Sequence, residues 1–149
     1  MERPEMRIII AGGRDFTDYP LLREECDRIL SHASQSQEII VVSGTARGAD
    51  SLGERYARER EYRIEQYPAD WNTHGKSAGY IRNCKMAKVG DVLIAFWDGE
   101  SRGTKNMIEI AQQNKLQVRV IHYSPRVNSL SNCLSPSDKE QTTTFHFKR

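Results

Sequence analysis

Ile39-Ile-Val-Val-Ser-Gly-Thr-Ala-Arg-Gly-Ala-Asp50 runs from an unbroken apolar stretch of β-formers straight into a turn of small residues that carries Arg47 and ends at Asp50. The order reads as a buried strand, a glycine loop and a helix start. Gly44 and Gly48 allow backbone angles and close approaches that a Cβ would forbid. The first amides of a helix have no partner within it, and the aligned peptide dipoles make that end attractive to a negative charge. An anion, most simply a phosphate, is therefore the natural guest, with the hydroxyls of Ser43 and Thr45 at hand.

Outward from that stretch the same unit repeats. Met6 to Ala11 (MRIIIA) is a continuous apolar run closed by Gly12 and Gly13, the pattern of a strand buried on both faces. After the loop Gly13 to Asp18, Pro20 sits at a helix opening, with Thr17 or Asp18 as the N-cap, and Leu21, Leu22, Cys26, Ile29 and Leu30 recur at helical spacing. Beyond Asp50 a helix shows Ala49, Leu52, Gly53, Tyr56 and Ala57 on one face. Tyr62 to Tyr67 alternates like an edge strand, Ala69 to Lys76 reads as a polar loop, and Ala78 to Val89 as a helix bearing Arg82 and Asn83. Asp91 to Trp97 (DVLIAFW) is the next buried strand, followed by the loop Asp98 to Gly103, a helix from Thr104 to Asn114 and a last strand from Gln117 to Tyr123. Strands alternating with helices predict an α/β fold: a Rossmann-like, doubly wound, mostly parallel five-stranded sheet with helices on both faces. The three glycine-bearing loops after the first, second and fourth strands then fall on the carboxyl edge of the sheet, where ligands of such sheets bind.

Composition sets outer bounds. A chain of 149 residues with 38% apolar content and a formal charge of +2 fits one soluble domain and names no bulk polyanionic partner. The three cysteines, Cys26, Cys84 and Cys133, form no CxxC pair, which argues against a disulfide framework or a metal site and for a reducing cytoplasm. No apolar run approaches the ~20 residues that span a bilayer, and the expectation is no membrane partner and no targeting segment. Residues 1–123 read as the folded domain and residues 124–149, rich in Ser, Thr, Pro and Asn, as a polar tail or loosely docked extension in which Phe145 to Phe147 alternates like a short edge strand.

The side chains on the proposed edge are of the kinds that hold a phosphorylated ligand. Arg14 and Asp15 follow the first glycine pair, and Lys76, Arg82, Arg102 and Lys105, together with Arg14 and Arg47, would line the edge with positive charge. Arg82 interrupts an otherwise inward-looking helical face. Trp71 and Trp97 either stack on a base or fill core, and His74 and Cys84 read more simply as a loop hydrogen-bonding group and an inert thiol.

In combination, IIVVSGTARGAD, IRNCKMA at Ile81 to Ala87 and DVLIAFWDGESRGTKNM at Asp91 to Met107 resemble the SLOG superfamily, the Rossmann-like group that includes DNA-processing protein A (Smf) and the Lonely Guy phosphoribohydrolases. The AGGRDF opening and the HGKSAGYIRN segment are most similar to the YspA/cpYpsA-related SLOG branch. The resemblance implies a ligand built on a nucleotide. Gly44, Arg47, Gly48 and Asp50 match the SGxARGxD loop of the DNA-processing proteins, and Arg82 and Asn83 their RN pair. Gly99, Gly103 and Thr104 resemble the phosphate loop that Lonely Guy enzymes write as PGGxGT, here without the proline and longer through Glu100, Ser101 and Arg102, and Asp98 stands just before it as a loop carboxylate, like Asp15 and Glu100.

Where those enzymes keep a catalytic glutamate, this chain has Met107, whose thioether neither stabilises an oxocarbenium ion nor activates water. Glu109 is two residues on, about 200° around the helix, and points away. The resulting expectation is a nucleotide or nucleotide-derived small molecule held by a sensor or sequestering module, with no resident cofactor and no metal. Two rivals stand beside it: a nucleoside-monophosphate phosphoribohydrolase with Arg82 as its catalytic residue, and single-stranded DNA binding, which the near-neutral charge disfavours. Relatives imply self-association through helices flanking the sheet, and the sequence leaves the pairing face open.

Overall fold

Ile8, Ile9 and Ile10 point alternately to the two faces of the sheet and are each 1% exposed or less, which is why this strand has no polar position at its centre. They belong to β1 (Glu5–Gly12) of a computed structural model that describes residues 3–124 and 144–146. In chain order there follow α1 (Tyr19–Leu30), α2 (Ala33–Ser36), β2 (Glu38–Ser43), α3 (Ala49–Glu59), β3 (Arg63–Gln66), α4 (Trp71–His74) with a 3-10 turn (Gly75–Ser77), α5 (Ala78–Val89), β4 (Val92–Trp97), α6 (Arg102–Gln113), β5 (Gln117–His122) and β6 (Thr144–His146).

The sheet order is β3-β2-β1-β4-β5-β6. The first five strands in sequence are mutually parallel, with Ile8 beside Val41 on one flank of β1 and Ile10 beside Ile94 on the other. β6 adds an antiparallel edge, Phe145 opposite Val120, so the five-stranded sheet gains a sixth strand from the stretch where the sequence alternates. Residues 125–143 and 147–149, most of the expected extension, lie outside the described residues.

Helices on both faces explain the unbroken apolar strands. On one face Ile8, Ile10, Val41, Ile94 and Phe96 pack against Leu22, Cys26 and Tyr56 of α1 and α3. On the other, Ile9, Leu93, Ala95, Val118 and Val120 meet Met86 and Ala87 of α5 and Ile108 and Ala111 of α6. Asp18 caps α1 by accepting the Leu21 amide at 3.1 Å. The polar segment expected as a loop before Ala78 instead winds into α4, whose cap Asp70 accepts the Thr73 amide at 3.1 Å, and the 3-10 turn. Among the described residues no helix is long and apolar enough to cross a membrane.

Candidate functional site

From β1 the chain winds outward to β2 and β3, then returns to place β4 on the other side of β1. That reversal opens a crevice at the carboxyl ends of the strands. A cleft of about 660 Å³ lies there. Gly12 lines it from the end of β1, Gly13, Arg14 and Asp15 from the loop that follows, and Asp50 from the start of α3. Arg82 and Asn83 of α5, with Lys76 before it, make a second wall. Asp98 and the first turn of α6, with Arg102, Gly103 and Thr104, make a third. α6 begins two residues earlier than its sequence pattern suggests, so Gly103 belongs to the helix rather than to the loop.

Ser43, Gly44, Thr45, Arg47, Gly48 and Gly99 do not line the cleft; all but Gly99, which lies beyond β4, shape the turn behind its wall. Ser43 is 1% exposed and its Oγ accepts the Thr45 amide at 3.0 Å. Thr45 sits at φ 65°, a left-handed conformation costly for a β-branched residue and therefore a point of stored strain at the lip. Gly48, at φ 75°, has no room for a side chain: a Cβ would stand 2.2 Å from the Gly13 carbonyl oxygen. That same oxygen accepts the Ala49 amide at 3.1 Å, stitching the turn to the first loop. Arg47 is exposed.

Gly44 is required by its neighbours rather than by its own torsion. A Cβ there would lie 2.6 Å from Arg82 Nη1 and 2.8 Å from Asp50 Oδ2. Arg82 Nη1 donates to the Gly44 carbonyl, its Nε donates to Asn83 Oδ1 at 3.1 Å, and Asn83 Nδ2 donates to Asn106 Oδ1 at 2.9 Å. This relay fixes a half-buried guanidinium whose pKa burial lowers. Asp50 accepts the Ala46 amide at 3.1 Å, and burial pushes its carboxyl up to about 6. The two charges act on each other, yet no direct ion pair joins them among the described residues.

At the third wall, Asp98 Oδ1 accepts the Glu100 and Ser101 amides at 2.9 and 2.8 Å, and Trp97 Nε1 donates to the Ser101 carbonyl at 3.1 Å. Trp97 thus braces the loop from outside the cleft. In the first wall, the Tyr123 hydroxyl donates to Asp15 Oδ1 at 2.6 Å, and burial raises the phenol above its ordinary range.

Trp71 and Tyr80, 52% and 57% exposed, also line the cleft. Tyr80 escaped the sequence reading, as did the amide of Asn106; the signal for Tyr80 was a large aromatic on the polar side of HGKSAGYIRN. Met107 lies in the cleft wall at 2% exposure, and Glu109 is exposed and outside it. The carboxylates that do line the cleft are Asp15, Asp50 and Asp98. Among the described residues no group of three or more His, Cys, Asp or Glu side chains is placed to hold a metal ion.

Residues 6–74 match the YspA, cpYpsA-related SLOG family. Over 130 residues the chain is 35% identical to the Gene 61 protein of Mycobacterium phage D29, spanning 80% of this chain and 98% of that protein. The chain belongs to the YspA, cpYpsA-related SLOG family. Its fold is shared with DNA processing protein A from Helicobacter pylori, at a TM-score of 0.58 and 21% identity over 85% of this chain and 68% of the other. The same protein from Streptococcus pneumoniae superposes at a TM-score of 0.60 and 14% identity over 96% of this chain and 63% of that one. The stretch matched to the SLOG family ends before Arg82 and the α6 turn, so those two walls rest on the geometry above.

Proposed function

We propose that the cleft binds a nucleotide or nucleotide-derived ligand, and that the protein acts as a sensor or sequestering module in the cytoplasm. One observation carries this reading: Arg14, Lys76, Arg82 and Arg102 share a cleft with the exposed rings of Trp71 and Tyr80 at the carboxyl edge of a doubly wound sheet. The phosphate belongs against Arg102 and the first turn of α6, where helix amides and guanidinium act on it together. The base belongs on the rim, where an aromatic face stacks on any base. The cleft volume, about 660 Å³, falls among ligand pockets of ~300–1,000 Å³.

The Helicobacter pylori neighbour was solved for its single-stranded DNA binding mode, and the aromatic rim is also what a strand would stack on. A formal charge of +2 favours a small ligand over a long polyanion. Hydrolysis of an N-glycosidic bond is the remaining rival. It wants a carboxylate where Met107 lies, and each carboxylate in the cleft already accepts a hydrogen bond: Asp15 from the Tyr123 hydroxyl, Asp50 from the Ala46 amide and Asp98 from the Glu100 and Ser101 amides.

The test is a thermal-shift screen of nucleotides, cyclic nucleotides and ADP-ribose derivatives. A ligand at about one hundred times its Kd adds ~2.7 kcal/mol, or roughly 5–10 °C in Tm for a domain of this size. Arg82→Ala should abolish the shift. A screen with no shift refutes the reading, and release of free base from a nucleotide replaces it with the enzymatic one.

A further inference from the structure

A second hollow, of about 170 Å³, lies beside the cleft at the end of β3. Tyr67 and Pro68 border it from the strand end, and Ile81 and Lys85 from α5, with His74 closing it. Arg82 lines both cavities. The sheet order makes the arrangement linear: β3 with the hollow, β2 with Gly44 and Arg82, then β1 and β4 with the cleft. At a strand spacing of about 4.8 Å, that edge runs roughly 14 Å from β3 to β4. The end of β3 is held level with β2 by the Tyr67 amide, which donates to the Ser43 carbonyl at 2.8 Å.

The cleft has guanidinium and ammonium donors with Trp71 and Tyr80, and the hollow has Lys85 and His74 with Tyr67, beside one carboxylate, Asp70. Between them Arg82 spends Nη1 on Gly44 and Nε on Asn83, while Nη2 makes no hydrogen bond among the described residues. A cation clamped on a strand end with a donor left over is placed to hold an anion that passes from one cavity to the other.

We propose that the hollow is a second subsite and that the ligand is a linear dinucleotide, its first unit in the cleft, its linking phosphate on Arg82 and only the base of its second unit in the hollow, against Tyr67 and beside Lys85. This rests on the nucleotide-binding reading and extends it from one unit to two.

Calorimetric titration with the four nucleoside 5′-monophosphates and the corresponding 5′-phosphorylated homodinucleotides tests it. The preferred dinucleotide should bind at least tenfold more tightly than its own monophosphate. Lys85→Gln, at an exposed position outside the cleft, should erase that advantage and leave the monophosphate affinity unchanged, while Lys85→Arg retains it. A monophosphate that binds as tightly as its dinucleotide, or an advantage untouched by Lys85→Gln, overturns the second subsite and leaves the cleft standing. Absence of binding by both sets overturns this extension, and together with a blank thermal-shift screen it overturns the nucleotide reading as well.

Discussion

Asp50→Asn isolates the electrostatics of the candidate site. Asp50 is 6% exposed, and burial pushes its carboxyl from 3.8 up to about 6 against the opposing pull of the Ala46 amide, Arg82 and Arg14, with Glu54 adding to the rise. An acid whose pKa rises on folding holds its proton more tightly in the native state. Its effect on stability is therefore most favourable below the unfolded pKa and is lost as pH climbs through the folded one. The whole shift corresponds to roughly 3 kcal/mol, of which about 2 kcal/mol falls between about pH 4.5 and 7.5. Other titrating groups cancel when wild type and Asp50→Asn are compared at each pH. Urea unfolding followed by circular dichroism should show the variant gaining about 2 kcal/mol on wild type across that window, equivalent to a relative Tm gain of about 4–8 °C. Parallel stability profiles would refute the buried carboxyl. A gap that moves the other way would mean that Arg82 holds Asp50 ionised in the folded protein.

The remaining expectations concern the turn, the rim and the back of α3. Gly48→Ala must adopt φ 75° and meet the Gly13 oxygen, so chemical denaturation should show a loss of more than ~1 kcal/mol. Gly44→Ala displaces Arg82 or Asp50 and should cancel the ligand-induced thermal shift, with the sheet intact by circular dichroism. Trp71→Ala, at a 52% exposed site, should leave Tm unchanged and weaken ligand binding by about 1–3 kcal/mol in titration calorimetry. Asp27→Ala orphans the Tyr56 hydroxyl, which donates to it at 2.7 Å from a fully buried residue, and should cost roughly 1–3 kcal/mol in urea unfolding. Because hydrogen bonds from Arg60 and Tyr56 hold the Asp27 carboxyl below its usual range, that contribution is present above its ordinary pKa and lost as pH falls through the lowered value.

The strands were legible because burial on both faces leaves no room for a polar residue, as in Ile8 to Ala11 and Val92 to Phe96. Their ends moved by no more than a residue or two, since glycines or polar groups close them. α4 and the 3-10 turn were hidden, being short, polar segments whose helical geometry comes from the Asp70 cap rather than from a buried stripe. The early start of α6 was hidden by Gly103, a poor helix former placed where a helix begins. Arg82 stood out as a charge on an inward face, and its fixation by Gly44 and Asn83 is the reason such a charge is tolerated. Asn106 did not stand out, because its partner Asn83 is distant in sequence and comes beside it only when α5 packs against α6.

The bond from Tyr123 to Asp15 spans 108 positions, and the Tyr123 ring also meets Phe16 at 4.8 Å between centroids. β1 precedes the other strands in the chain yet lies inside the sheet, and one of its flanks is covered by β4. The loop after β1 draws on a still later stretch, since the phenol that braces it follows β5. The first wall of the cleft is thus completed by a residue from the far end of the fold, and a chain cut before β5 would carry the motif of the site without the phenol that braces it.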